Sequence, residues 1–150
     1  MQTSFSLADR TPEVELLPAC RDSGVGFLAY YPLAGGILSG KYAIGKPVPE
    51  GSRADREPRF LGQLDADRLR LAGSLQALAK TLEVSSTQLA IAWLLRQPGL
   101  SSAIVGATGV EQLEENLGAI RVTIPEEVMV ELNQISECFR YAPPFADYRL

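Results

Sequence analysis

Val25-Gly26-Phe27-Leu28-Ala29-Tyr30-Tyr31 is a short, nearly continuous apolar run closed by Pro32. Such a run suits a strand buried on both faces, as in parallel sheets. Upstream, Gln2-Thr3-Ser4-Phe5-Ser6-Leu7 has strand character. Thr11-Pro12-Glu13 then reads as a helix start, with Thr as N-cap, Pro in the first turn and an acid facing the positive helix end. Leu16, Leu17 and Cys20 continue its apolar face, and Gly24 stops it. Downstream, Ser102-Ala103-Ile104-Val105-Gly106 is another short buried strand, and Thr108-Gly109-Val110-Glu111 is a capping box opening a helix to about Ala119. Between them, Leu71, Leu75, Leu78 and Leu82 recur at helical spacing from Asp65 on, and Ser85-Ser86-Thr87-Gln88 caps a helix running through Leu89, Trp93 and Leu94 up to Pro98. A last amphipathic helix starts at Pro125 and carries Val128, Leu132 and Ile135, and residues 141–150 form an irregular tail. Strands alternating with helices imply a parallel α/β architecture, in which ligands sit at the C-terminal ends of the strands.

The 150 residues, 46% of them hydrophobic, suffice for one ordinary core and one domain. Fourteen basic residues against 18 acidic ones leave a formal charge of −4, without the basic excess that nucleic-acid or anionic-membrane binding needs. No apolar run reaches the roughly 18 residues of a membrane span, and residues 1–7 lack the features of a signal peptide, so a cytoplasmic protein with reduced Cys20 and Cys138 is expected. His is absent, so imidazole serves neither catalysis nor a metal site here.

Two places at strand ends carry candidate chemistry. Gly35-Gly36-Ile37-Leu38-Ser39-Gly40-Lys41 satisfies the first part of a phosphate-binding P-loop, but Tyr42 stands where a Mg²⁺-binding hydroxyl is needed, which argues against an NTPase. This segment opens a Gly- and Pro-rich stretch, 32–64, with no sustained period, expected to be a functional loop or disordered. The second place is Gly106-Ala107-Thr108, where small residues let backbone N–H groups and a positive helix end meet an anion; Gln112, Glu115 and Asn116 lie on neighbouring turns. A phosphate or nucleotide is its natural guest. Lys41 and Arg53 suit phosphates, and Tyr30 suits a planar ring at a strand end.

Together these residues resemble the C-terminal part of an aldo-keto reductase, closest to the potassium-channel β-subunit-like branch. The likeness rests on Gln2, Ser6-Leu7, Arg10 and Glu13, on the run from Tyr30 to Tyr42, on Arg53 and Trp93, and on Gly106 to Asn116, and it spans roughly residues 2–137. It implies a (β/α)₈ TIM barrel of which this chain holds about the last three βα units plus a C-terminal helix, beginning inside the sixth strand. It also implies NADP(H) as cofactor, bound extended across the barrel's C-terminal face. Carried over by position, Gln2 would meet the nicotinamide amide and Tyr30 would stack on its ring. Pro32, Leu33, Ala34, Gly35 and Gly36 would line the pyrophosphate, with Lys41 and Arg53 on phosphates. Gly106, Thr108 and Gln112 would hold the 2′-phosphate end, and Glu115 and Asn116 the adenine. Tyr31 replaces the family's usual Ser in this site, and no basic residue lies between Gly106 and Gln112, so preference for NADP rests on Thr108 and Gln112.

The family's catalytic Asp, Tyr, Lys and His come from the barrel's first half, so no catalytic residue is expected in this chain. The implied function is carbonyl reduction by hydride transfer, with the chain supplying the cofactor-binding half and inactive alone; the alternative is a non-catalytic nucleotide-binding or oligomerisation module. Open strand edges imply a homo-oligomer or a complementary N-terminal half-barrel as partner. The Gly35–Arg53 loop is expected to depend on the cofactor for its order, leaving the Gly106–Asn116 turn to carry residual binding.

Overall fold

The structure is a computed structural model that describes residues 1–145. Three parallel strands, β1 (Gln2–Ser4), β2 (Phe27–Tyr30) and β3 (Leu100–Ala103), lie side by side in chain order. Gln2 is paired with Leu28 and Ser4 with Tyr30; Phe27 is paired with Leu100 and Ala29 with Ala103, with an irregularity between Phe27 and Leu28. Helix α1 (Leu16–Asp22) connects β1 to β2. The longer return to β3 passes through α2 (Arg53–Arg56), α3 (Ala66–Thr81) and α4 (Ser86–Leu95), and α5 (Val110–Gly118) and α6 (Glu126–Ile135) follow.

The core forms where one face of the sheet meets α4. Phe5 sits edge-on to Phe27 at 6.0 Å and to Trp93 at 5.8 Å, and all three are fully buried. The indole N–H of Trp93 donates to Asn133 Oδ1 on α6 at 2.9 Å, so the largest core side chain also fixes the last helix. The expected starts of the two long helices hold. Asp65 accepts from the Arg68 amide at 2.8 Å, and Ser85 and Gln88 exchange capping-box bonds of 3.1 and 3.2 Å.

Other expectations are corrected. Strand β2 is not buried on both faces: Phe27 and Ala29 are buried while Leu28 between them is exposed, the alternation of a sheet covered on one side only. Strand β1 stops at Ser4 because Ser6 and Asp9 exchange backbone bonds of 3.0 and 3.1 Å and turn the chain. Strand β3 begins two residues before the expected Ser102, since Gly99 at φ +96° turns the chain directly into it, and its two serines are exposed. Thr11 does not cap a helix; it lies in a 3₁₀ turn, Thr11–Glu13, its hydroxyl donates to Asp9 Oδ1 at 2.7 Å, and α1 opens only at Leu16. Thr108 is likewise not a cap, because the N-cap of α5 is Gly109, which has no side chain to bond.

Segment 32–64 contains two 3₁₀ turns, Ala34–Ser39 and Pro58–Gln63, as well as α2. Ile37, Leu38, Tyr42, Ala54 and Phe60 are buried, and the Tyr42 hydroxyl accepts from the Ala54 amide at 3.3 Å. Apolar side chains thus anchor this loop on the core. At the other terminus, the Phe145 amide donates to the buried Asp9 carboxylate at 2.9 Å, and Ser4 and Thr11 donate their hydroxyls to the same group. Residues 141–145 carry no helix or strand; the remainder of the expected tail, 146–150, lies outside the described residues. Cys20 is buried and Cys138 exposed, both free, and no helix among the described residues is long and apolar enough to cross a membrane.

Candidate binding cleft

A cleft of about 650 Å³ opens beyond the C-terminal end of β2, where Tyr30 ends the strand. One wall is the glycine loop that follows: Tyr31, Pro32, Leu33, Gly35, Gly36 and Lys41, with Arg53 from α2. The other is the turn from β3 into α5, with Gly106, Thr108, Gln112, Glu115 and Asn116. Residues 76 positions apart in sequence, Tyr30 and Gly106, therefore share one site. Two expected residues do not line it. Gln2 is exposed on β1, and Ala34 is fully buried in the core beneath the loop.

The loop wall is built from left-handed backbone. Tyr31 (φ 56°), Ala34 (φ 47°), Gly35 (φ 65°) and Gly36 (φ 100°) all have positive φ. Non-glycine residues there are strained, and such strain collects at ligand sites. The two glycines also make room for cations. A Cβ on Gly35 would lie 2.6 Å from the Phe60 ring and 3.4 Å from Arg53 Nη1, and one on Gly36 would lie 2.8 Å from Lys41 Nζ. Lys41 and Arg53 thus reach the backbone of adjacent residues. Arg53 is held by stacking over Tyr31 and Phe60, each at 5.6 Å, and by Glu57 at 3.3 Å. Burial lowers its pKa, but Tyr31 and Glu57 outweigh burial and the guanidinium pKa is raised, so the cation is kept.

The opposite wall is braced internally. Gln112 Oε1 accepts from both the amide and the hydroxyl of Thr108, at 3.0 and 3.1 Å. Asn116, buried, donates through Nδ2 to the Gly106 carbonyl at 3.2 Å, so its amide shapes the turn. Ser39, Thr87, Ile104 and Val105 complete the cleft and were not singled out as site residues from sequence. Two cations over a glycine backbone, facing a helix N-terminus across the cleft, suit an elongated anion with an apolar or planar portion.

The chain matches the profile of the Aldo/keto reductase family over residues 1–137. It is 35% identical over 134 residues to the uncharacterized oxidoreductase YrpG of Bacillus subtilis, a match covering 89% of this chain and 39% of that protein. With L-glyceraldehyde 3-phosphate reductase of Escherichia coli O157:H7 it shares 36% identity over 143 residues, 89% of this chain and 40% of the relative. The NADP(+) aldo-keto reductase yakc of Schizosaccharomyces pombe is 32% identical over 130 residues, 87% of this chain and 38% of that protein. The chain therefore spans about two-fifths of the length of the curated relatives it matches.

Proposed function

The chain belongs to the aldo/keto reductase family, and from that premise we propose that it is the cofactor-binding portion of an NADP(H)-dependent oxidoreductase that reduces carbonyl compounds, inactive on its own. The observation that carries this reading is the convergence of Lys41 and Arg53 over the Gly35-Gly36 backbone, where Lys41 packs closely on Gly36 and Phe60, beneath Arg53, packs closely on Gly35. That cradle suits a pyrophosphate: Arg53, held by Tyr31, Phe60 and Glu57, and the flexible Lys41 neutralise it, and left-handed backbone lets the chain approach closely. Tyr30, at the end of β2, is placed to stack on the nicotinamide, and the Gly106 turn to take the adenosine end. When bound, NADPH supplies the hydride. The chain's own residues bind and orient it, and no His is present to help move a proton. Choice of NADP over NAD rests on the Thr108–Gln112 pair, and a relative named for NADP(+) supports it. The expected result is measurable NADP⁺ binding in calorimetry, with no NADPH turnover on 4-nitrobenzaldehyde. Absence of binding, or turnover abolished by changing Tyr30, would overturn the reading.

The proposal extends to architecture and partners. Strands laid in chain order, each beside its predecessor, are what consecutive strands of an eight-stranded barrel require. Both outer strands keep one unpaired edge in the described structure. Val110 and Ile120 are each 71% exposed and, with the exposed Leu113 and Leu117, form one apolar stripe along α5 and the turn after it. That stripe favours a second copy of the chain or a complementary N-terminal half-barrel as partner, and gives the reading as an oligomerisation module its support. Light scattering at micromolar concentration is expected to show a species larger than the monomer; a sharp monomer with cooperative unfolding would contradict this. The run from Tyr30 to Tyr42 supports placement in the potassium-channel β-subunit-like branch. Residence in the cytoplasm, with both thiols reduced, completes the proposal.

A further inference from the structure

The first turn of α4 sends three successive side chains in three directions. Ser86 packs against the glycine loop, its Oγ 3.2 Å from where a Cβ on Gly40 would stand. Gln88 packs so tightly on Gly118 of α5 that no Cβ would fit there. Thr87, between them, faces the cleft at the junction of its two walls and is 4% exposed. Its hydroxyl has no hydrogen-bond partner among the described residues, and its place in the helix explains why. Thr81, late in α3, donates to the carbonyl of Leu78 one turn back at 2.7 Å. Thr87 is the second residue of α4, and the residues one turn before it, Glu83 and Val84, lie outside the helix. The capping box does not help either, since Ser85 takes the amide of Gln88 and leaves those of Ser86 and Thr87 with no carbonyl inside the helix.

The hydroxyl of this otherwise buried residue opens into the cleft with no partner among the described residues, and its position at a ten-residue helix's positive end points to an anion there. Given the cofactor reading above, on which this rests, we propose that Thr87 is a further binding residue, its hydroxyl donating to a phosphate oxygen held between the Gly36 loop and the Gly106 turn. A nucleotide offers two sources there, the adenosine 5′-phosphate of the pyrophosphate and the 2′-phosphate of NADP.

Thr87→Val keeps the shape and removes only the hydroxyl. Calorimetry on the full chain, with adenosine 2′,5′-bisphosphate and AMP as probes, is expected to show a roughly ten-fold weaker Kd for the bisphosphate, with Thr87→Ser close to the unaltered protein. An equal loss for AMP assigns the 5′-phosphate, and an unchanged AMP affinity assigns the 2′-phosphate. Thr87→Ala, with circular dichroism to confirm the fold, gives the same reading if the Val variant does not fold. Unchanged affinity for both probes in a folded variant overturns the role of Thr87 alone. No binding of NADP⁺ by the unaltered chain overturns the cofactor reading and this inference with it.

Discussion

Replacing Arg10 by Met is expected to lower the free energy of unfolding by about 3–5 kcal/mol, because one partner of a buried, hydrogen-bonded ion pair would be removed. Nε and Nη2 of Arg10 grip the two Glu13 oxygens at 2.8 and 2.7 Å. Its Nη1 donates to the Asn133 carbonyl at 2.7 Å and to Ser136 Oγ at 3.0 Å, and the guanidinium lies 5.5 Å over the Trp93 ring. One side chain therefore joins the segment after β1, the end of α6 and the central indole. In Arg10→Met, among the described residues Glu13 keeps only Arg140, at 3.7 Å, within its largely buried site. Urea denaturation measures the loss. The double variant Arg10→Met, Glu13→Leu is expected to recover most of it, since removing both charges abolishes the desolvation problem. A single variant that loses under about 1 kcal/mol would mean that Glu13 escapes to water, as at an exposed pair.

Gly35→Ala is expected to damage both fold and binding. Its added Cβ would stand 2.6 Å from Phe60, a buried ring wedged against Tyr42 and Phe145 at 6.3 and 6.4 Å, so the ring has nowhere to go. The alanine must also adopt φ near +65°. Overpacking and left-handed strain together suggest about 2–4 kcal/mol. Displacing Phe60 also removes one of the two rings under Arg53, so NADP⁺ affinity is expected to fall at least ten-fold in calorimetry. Gly36→Ala differs in cause: its new Cβ meets only the flexible end of Lys41, so stability falls through forcing alanine to φ near +100° and not through overpacking, and affinity should still drop. A Gly35→Ala variant that keeps its stability and its affinity would show that Phe60 yields to the added methyl.

The legible parts of the fold were those whose causes are local. Asp65 and Ser85 cap their helices because each has the needed side chain one residue before a periodic apolar run. Thr11 and Thr108 carry the same signal and do something else, because Asp9 and Gln112 compete for their hydroxyls, and competition across a turn has no fixed spacing. The alternating burial of β2 was hidden for a related reason. An apolar run reports what a strand can bury, whereas Leu28 lies on a face that the described residues leave uncovered. In the site, Gly35, Lys41 and Gly106 were legible through their motifs. Thr87 was not, since within Ser85-Ser86-Thr87-Gln88 it reads as part of a cap, and only the packing of Ser86 and Gln88 to either side turns it toward the cleft.

The order of the sheet also bears on how the protein is made. During translation each strand emerges beside the edge its predecessor has left open, so the sheet can grow vectorially and nothing already folded must be reopened. Asp9 follows a different schedule. The hydroxyl of Ser4 and the hydroxyl and amide of Thr11 leave the ribosome with it, but its remaining donor among the described residues, the Phe145 amide, is synthesised 136 residues later. The carboxylate therefore acquires its full set of described partners only after Phe145 has been made, and the aromatic contacts of Phe145 with Tyr31 and Phe60 form at that same stage.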